Sequence, residues 1–253
     1  MKLIVLRTGD VAEPVRVARG EFDVLIRDTV AEAWGGPWET IDVRRPDAPL
    51  PRVEEVAGFI VTGSSHSVTE RAPWMLRAEA YLRDVVRADA PLLGICFGHQ
   101  LLGQALGGEV TRNPRGREIG TVRLAVAGDA GDDPIFAGLP RSFHVNATHV
   151  DTVTKLPAEA RVLATTELEP NAIFAIGANV RGVQFHPEID ADAMRGYVRA
   201  RWEVIAKDGL DPEAIFGGIA ETRENGQVLK NFVTELVLPA AAARARSAGS
   251  RTG

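Results

Sequence analysis

One cysteine carries the most distinctive chemistry in this sequence. Cys96 is the only cysteine among 253 residues and lies in "GICFG", with Gly94 and Gly98 on either side. An apolar run precedes it and a helical pattern follows it. Strand, Gly-x-Cys-x-Gly, helix is the pattern of a nucleophile elbow with cysteine in place of serine. The start of that helix favours the thiolate, and the N–H of Phe97 is placed to stabilise an oxyanion.

The alternative interpretation is a buried thiol that does no chemistry. Lone cysteines are among the most frequently buried residues. Gly94 and Gly98 would then serve only the close packing of a helix on a strand. The spacing alone leaves both interpretations open, because a nucleophile also needs a base to activate it.

The best candidate for that base is His186. Of the five histidines, it is the one that combines a predicted strand end with a nearby carboxylate, Glu188, two positions further on in "HPE". The carboxyl ends of parallel strands meet at one sheet edge, so we expect His186 to reach Cys96 there, with Glu188 holding the imidazole tautomer. An ordinary surface turn is the alternative for "HPE". His99 is a weaker candidate base, because its place on the elbow helix makes it hard to aim at the sulfur.

Two kinds of element must position these residues. Short apolar runs rich in β-branched residues predict buried strands. Between them, amphipathic patterns such as "PWMLRAEAYLRDVVRA" predict helices. Together they predict an α/β fold with an open, mostly parallel, flavodoxin-like sheet and helices on both faces. The strands are predicted over residues 2–7, 58–63, 91–95 and 181–185, and the example helix over 73–88.

The middle of the chain has a different pattern. Strand-like segments follow one another with few helical residues between them, which predicts antiparallel strands added to the sheet. They span residues 118–128, 142–153, 161–167 and 171–177, and helices are predicted over 190–209 and 224–238. No linker divides the chain, so we expect a single domain over residues 1–238. The tail 239–253 has three arginines, no acid and little to bury, and we expect it to be disordered.

Composition excludes several function classes. The net charge of −5 argues against a nucleic-acid-binding surface, and a single cysteine cannot form an internal disulfide. The apolar run near the N-terminus is too short for a signal peptide or a membrane span, so we expect a cytoplasmic protein with no membrane partner. No histidine or cysteine spacing suits a metal, and no glycine-rich phosphate loop is present, so we expect no metal and no cofactor.

Two motifs together resemble the class I glutamine amidotransferase family, and in particular its glutaminase domains of the GMP-synthase type. They are "PLLGICFGHQLLGQALGGEV" and, some ninety residues later, "GVQFHPE". The resemblance extends from about Leu3 to Glu188 and the helix that follows. It implies that Cys96 is the nucleophile, His186 the general base and Glu188 the acid that orients the base.

The same resemblance implies further site residues. Gln100 matches a position that helps to bind the glutamine substrate, and the second oxyanion-hole amide falls at Gly63 or Ser64. There "TGSSHS" departs from the family's Gly-Gly-Pro or Gly-Pro-Gly, since Ser64 and Ser65 replace glycine and proline. "THVD" loosely matches a substrate-binding Ser-His-Gly-Asp, with Val150 in place of the glycine. The matching substrate-binding residues are Thr148, His149 and Asp151.

The expected activity is therefore cysteine-dependent hydrolysis of the glutamine side-chain amide through a γ-glutamyl thioester. Only 65 residues follow Glu188, and they contain no nucleotide-binding loop. A separate synthetase subunit would then accept the ammonia. Two alternatives remain open: a hydrolase of γ-glutamyl peptides or amides without ammonia transfer, which the altered oxyanion loop favours, and a non-catalytic binding module, which the intact Cys-His-Glu set disfavours.

Overall fold

The computed structural model describes residues 1–249 and is built around a nine-stranded sheet. The strand order is β2-β1-β3-β4-β11-β10-β9-β6-β7, and β5 and β8 form a separate two-stranded sheet. The strands are β1 Lys2–Arg7, β2 Trp38–Asp42, β3 Val56–Val61, β4 Leu92–Ile95, β5 Glu109–Arg112, β6 Glu118–Val126, β7 Ser142–His149, β8 Asp151–Lys155, β9 Arg161–Thr165, β10 Ile173–Ile176 and β11 Val180–Val183.

Five adjacent strands, β2, β1, β3, β4 and β11, run parallel and form one half of the sheet. Helices cover both faces of this half, so successive residues pack into different cores: Leu3 and Val5 lie on one face, and Ile4 and Leu6 on the other. This explains the uninterrupted apolar runs in the sequence and confirms the predicted fold class. The helices are α1 Glu13–Arg19, α2 Phe22–Val30, α3 Pro73–Arg87, α4 Phe97–Ala105, α5 Ala191–Ala200, α6 Trp202–Lys207, α7 Pro212–Gly217, α8 Arg223–Asn231 and α9 Leu238–Gly249.

The other half of the sheet is antiparallel, through β10, β9, β6 and β7. The segment 142–153, predicted as one strand, is broken at Val150: β7 joins the large sheet, and β8 pairs with β5. The carbonyl oxygen of Val150 accepts a hydrogen bond from the backbone N–H of Asn113 at 2.8 Å. This break lies between the predicted substrate-binding residues and turns the chain beside the carboxyl end of the parallel half.

The segment predicted as one helix over 190–209 is two helices, α5 and α6, with Arg201 at the junction. Arg201 has φ −113° and ψ 14°, outside the helical range, so the chain changes direction at this residue. Trp202 then packs edge-on against Phe216 of α7. The junction directs the Arg201 side chain back toward the sheet.

The C-terminal segment also differs from expectation. Where a disordered tail was predicted from residue 239, α9 continues to Gly249, while residues 250–253 lie outside the described part of the chain. Alanine has the highest helix propensity, which suits "AAAARA" to this conformation. Ala241 packs against the core, and the Arg244 guanidinium donates to the carbonyl oxygen of Val56 at 2.9 Å. Within residues 1–249, no helix has the length and apolar character that a membrane crossing requires.

Candidate active site

The turn at Cys96 has the backbone of a nucleophile elbow. Cys96 follows β4 and precedes α4 with φ 51° and ψ −101°, a left-handed conformation that side chains rarely adopt. The flanking glycines allow close packing around it. A Cβ atom at Gly94 would lie 2.5 Å from the carbonyl oxygen of Gly98, and one at Gly98 would lie 2.4 Å from that of Val61. The glycines therefore serve packing, and that packing is what fixes the strained turn.

The carboxyl ends of β4 and β11 bring Cys96 and His186 together. The two strands pair in parallel, and the Cys96 N–H donates to the carbonyl oxygen of Val183 at 2.8 Å. His186 Nδ1 lies 2.7 Å from Glu188 Oε1, and both side chains are buried. His186 also stacks on Phe22, with the rings 12° from parallel. The imidazole is therefore held by a carboxylate on one side while it lies beside the thiol.

The charges in this group favour the ionised form of both reacting side chains. Burial alone would raise the pKa of the Cys96 thiol, but the charge of His186 and a hydrogen bond with it prevail and lower that pKa. Burial alone would lower the pKa of His186, whereas the charges of Glu188 and Cys96 raise it. The arrangement therefore favours a thiolate–imidazolium pair, the reactive form of a cysteine nucleophile.

Two backbone N–H groups are candidates for an oxyanion hole. The N–H of Phe97 belongs to the first turn of α4, where no carbonyl within the helix can accept from it. In the loop after β3, the carbonyl oxygen of Gly63 accepts from Thr62 Oγ1 at 3.0 Å. Because the peptide is trans, the N–H of Ser64 points the opposite way, and Ser64 and Cys96 line the same cavity.

The serines that replace glycine and proline in this loop are held by hydrogen bonds. Ser64 Oγ donates to the carbonyl oxygen of Thr8 at 3.0 Å and accepts from the N–H of His66 at 3.2 Å. Gly63 packs directly on His186, since a Cβ atom there would lie 2.8 Å from His186 Cε1. The hydrogen bond from Ser64 to Thr8, the residue after β1, thus restrains the loop where proline would otherwise stiffen it.

The predicted substrate-binding residues border one cavity of about 390 Å³ above Cys96. Gln100 Nε2 donates to the carbonyl oxygen of Asp151 at 2.8 Å and to Gln184 Oε1 at 3.0 Å, which leaves its own Oε1 as the group available to a ligand. The carboxylate of Asp151 accepts from Ser67 Oγ. The carbonyl oxygen of Thr148 lies 3.9 Å from Cys96 Sγ.

His149 also borders this cavity, but protein acceptors occupy both of its ring nitrogens. Nε2 lies 3.0 Å from Glu118 Oε2, and Nδ1 lies 3.0 Å from the carbonyl oxygen of Asp151. Opposite an ionised Glu118 neither oxygen can donate, so the geometry favours a proton on each nitrogen, which is the imidazolium form. Burial alone would lower the pKa of His149, but Glu118 raises it. Sequence reasoning missed Glu118, whose partnership with His149 depends on the β6–β7 register.

Three arginines on the cavity wall were also missed: Arg112, Arg117 and Arg201. Arg117 Nε lies 2.7 Å from Asp208 Oδ2, and Arg112 lies 3.6 Å from the same carboxylate. Arg201 Nη1 donates to Thr148 Oγ1 at 3.1 Å, and its guanidinium lies over the Tyr197 ring. A single sequence holds no signal for this set, because Arg201 lies 84 residues after Arg117 and only the fold brings it to the same wall. Over residues 1–249, no group of three or more histidine, cysteine, aspartate or glutamate side chains could hold a metal ion.

Comparison with known proteins gives a family match and related sequences. The family model for glutamine amidotransferase class-I matches residues 37–201. A GMP synthase (glutamine-hydrolyzing) of Aeropyrum pernix is 36% identical over 170 residues, which span 67% of this chain and 31% of that protein. Gamma-glutamyl peptidase 4 of Arabidopsis thaliana is 29% identical over 163 residues, 63% of this chain and 65% of that protein. The chain thus aligns with less than two thirds of either relative.

A solved structure shows the same fold. The glutamine amidotransferase from Thermotoga maritima superposes with a TM-score of 0.73 at 23% identity, over 94% of this chain and 98% of that one. The family model covers β2 to the end of α5, and with it the turn at Cys96, the loop at Gly63 and Ser64 and the "HPE" motif. The chain belongs to the class I glutamine amidotransferase family.

Proposed function

We propose that this protein hydrolyses the side-chain amide of glutamine, with Cys96 as nucleophile, His186 as general acid and base, and Glu188 as the carboxylate that orients His186. One observation carries the proposal. A strained elbow cysteine and a buried histidine–carboxylate pair lie together at the carboxyl edge of the parallel strands. A thiol whose pKa is lowered against the effect of burial favours a nucleophile over a binding module.

The chemistry follows from the positions of the protons. Nδ1 of His186 faces Glu188, so its Nε2 carries the proton that moves. The Cys96 thiolate attacks the γ-carbonyl carbon, and the N–H groups of Phe97 and Ser64 stabilise the oxyanion. His186 protonates the leaving nitrogen, ammonia departs and a γ-glutamyl thioester remains. His186 then takes a proton from water, whose oxygen attacks the thioester and releases glutamate. Each oxyanion donor is worth about 3 to 4 kcal/mol of barrier.

Cleavage of γ-glutamyl peptides is the second candidate. The alignment spans 65% of the gamma-glutamyl peptidase but 31% of the GMP synthase, whose remaining length has no counterpart in this chain. The same triad serves both substrates, because only the group on the γ-carbonyl differs. If ammonia is transferred, we propose that a synthetase partner receives it.

The test is a substrate panel of glutamine, γ-glutamyl-p-nitroanilide and γ-glutamylglycine, with Cys96→Ala as the matched inactive variant. We expect turnover by the wild type, a γ-glutamyl adduct of Cys96 in acid-quenched samples by intact-protein mass spectrometry, and neither with Cys96→Ala. Absence of turnover on all three substrates, together with ordinary thiol reactivity of Cys96, would contradict the proposal. Stimulation of glutamine hydrolysis by a protein fraction of cell extract would favour a synthetase partner. Efficient cleavage of γ-glutamyl peptides without such a fraction would favour the peptidase activity.

A further inference from the structure

The arginines of the active-site cavity differ in how their charges are balanced. Arg112 and Arg117 both pair with Asp208. Arg201 takes part in none of the ion pairs among the described residues, and its polar contact is the neutral hydroxyl of Thr148. Arg201 is partly buried on the cavity wall, so its charge is unpaired within the described residues and open to an anionic group bound in the cavity.

The position of Arg201 relative to the nucleophile suits one part of the substrate. Its Nη1 lies 3.1 Å from Thr148 Oγ1, and the carbonyl oxygen of the same Thr148 lies 3.9 Å from Cys96 Sγ. In a γ-glutamyl group, the α-carboxylate carbon is four bonds from the γ-carbonyl carbon, roughly 5 Å when the chain is extended. A substrate whose γ-carbonyl is at the sulfur therefore brings its α-carboxylate within reach of this wall of the cavity.

The rest of the cavity complements the α-ammonium group of the same substrate. Asp151 places a carboxylate there that accepts from Ser67, and Gln100 has its amide oxygen left for a donor. A positive group and a negative group on one cavity wall match the zwitterionic end that glutamine and all γ-glutamyl compounds share. The planar guanidinium is also the side chain best suited to bind a carboxylate through two hydrogen bonds.

We infer that Arg201 binds the α-carboxylate of the γ-glutamyl substrate and so determines specificity for γ-glutamyl compounds over simple amides. The inference rests on the proposed function, because it assigns a substrate group to the cavity above Cys96. The Tyr197 ring beneath the guanidinium holds it in place, with the guanidinium carbon 4.8 Å from the ring centroid. The break between α5 and α6 is what allows the side chain to reach this position.

The kinetic test compares Arg201→Gln and Arg201→Lys with the control Arg199→Gln. Arg199 lies two residues away on the exposed side of α5 and packs on Phe216, so its substitution removes the same charge outside the cavity. For glutamine, we expect kcat/KM to fall about 10- to 100-fold with Arg201→Gln, mainly through KM, because a charge-assisted hydrogen bond is lost. Arg201→Lys should recover part of this loss, and Arg199→Gln should lie within about twofold of wild type.

Substrate analogues separate binding from support of the fold. With 4-aminobutanamide, which is glutamine without its α-carboxylate, Arg201→Gln should have little effect. Equal losses on both substrates would overturn the inference and assign Arg201 a structural role. If Arg201→Gln lowers kcat/KM for γ-glutamylglycine but not for glutamine, the inference is also overturned. The carboxylate that Arg201 binds would then belong to the leaving group.

A second measurement needs no turnover. The glutamine-shaped alkylating agent 6-diazo-5-oxo-L-norleucine should label Cys96 about 10- to 100-fold more slowly in Arg201→Gln, since the same contact is lost. Its analogue without the α-carboxylate should label both proteins equally. Equal labelling of wild type and variant by both agents would refute the role of Arg201 and leave the Cys96 mechanism intact. Failure of wild-type Cys96 to react with either agent would refute the proposed function, and this inference with it.

Discussion

Two buried histidine–glutamate pairs flank Cys96, and they differ in what lies on the other side of the imidazole. In the first pair, His186 contacts Glu188 at 2.7 Å and lies beside the thiol. In the second, His149 contacts Glu118 at 3.0 Å, and its other nitrogen lies 3.0 Å from a backbone carbonyl oxygen. The first imidazole can exchange a proton with a reacting group, whereas the second has both protons committed to protein acceptors.

The difference separates two uses of the same pair of side chains. His186 is suited to move a proton, and Glu188 holds the tautomer in which it can do so. His149 is suited to remain a fixed positive charge, and it lowers the pKa of the Cys96 thiol without touching its proton. The catalytic consequences of disrupting the two pairs should therefore differ in size and in kind.

The largest effect should come from His186→Asn. General acid–base catalysis contributes about 10²- to 10⁴-fold, so we expect kcat for glutamine hydrolysis to fall by that factor. His144→Asn is the matched control, because His144 is exposed on β7 and contacts no predicted site residue through its ring. Steady-state ammonia release measures both variants. Retention of more than a tenth of wild-type kcat by His186→Asn would exclude it as the base.

The two pairs can be compared directly through Glu188→Gln and Glu118→Gln. Loss of the carboxylate that orients the base should lower kcat at least about 10²-fold. Glu118→Gln removes the charge opposite His149, while the amide keeps an oxygen that can accept from Thr166 Oγ1. The resulting shift in the Cys96 pKa should lower kcat by about tenfold or less, since a change of one pKa unit changes the thiolate fraction by at most a factor of about ten. Equal losses in kcat would show that the second pair also takes part in proton transfer.

The sequence was sufficient to predict the first pair but not the second. His186 and Glu188 lie two residues apart after a strand, and Cys96 lies within a contiguous strand–turn–helix motif. Local geometry places Glu188 beside His186 and Cys96 on its turn, and the parallel pairing of β4 and β11 brings Cys96 and His186 together. His149 and Glu118 face each other because of the register between β6 and β7, which is set by packing across the antiparallel half of the sheet. No local pattern encodes that register.

The same distinction explains why the sequence did not predict Arg201 as a site residue. Periodicity predicted one helix through 190–209, in which position 201 would continue the α5 surface; the break places it in the cavity instead. No proline or glycine lies at the junction to signal the break, and the contact that accompanies it, Trp202 on Phe216, depends on the tertiary fold. The predicted tail differed for a related reason, because composition alone does not reveal that Ala241 has a core to pack against.

A smaller effect isolates the electrostatic role of His149. His149→Asn removes the fixed charge, so the pKa of the Cys96 thiol should rise by about one unit or less. The rate of carbamidomethylation of Cys96 by iodoacetamide, followed from pH 5 to 10, measures this pKa. At pH values below the pKa of the wild-type thiol, the variant should react more slowly, by about tenfold at most, because the thiolate fraction falls. A pKa that does not change would mean that His149 only supports the turn at Val150.

A third buried histidine gives the limiting case of an imidazole without a carboxylate. His99 lies against Phe174 with the ring centroids 4.6 Å apart, and burial lowers its pKa to about 3. The unfolded chain binds a proton at about pH 6.5, so folding stability falls as the pH drops from 6.5 toward 3, by about 1.4 kcal/mol per pH unit.

His99→Leu should therefore have a free energy of unfolding that changes by about 2 kcal/mol less than that of wild type between pH 7 and pH 5. Urea denaturation at the two pH values measures this difference. The histidine–glutamate pairs have raised histidine pKa values, so their contribution is full below pH 6.5 and is lost as the pH rises through those values. Identical pH dependence in wild type and variant would mean that His99 finds a partner for its proton in the folded protein.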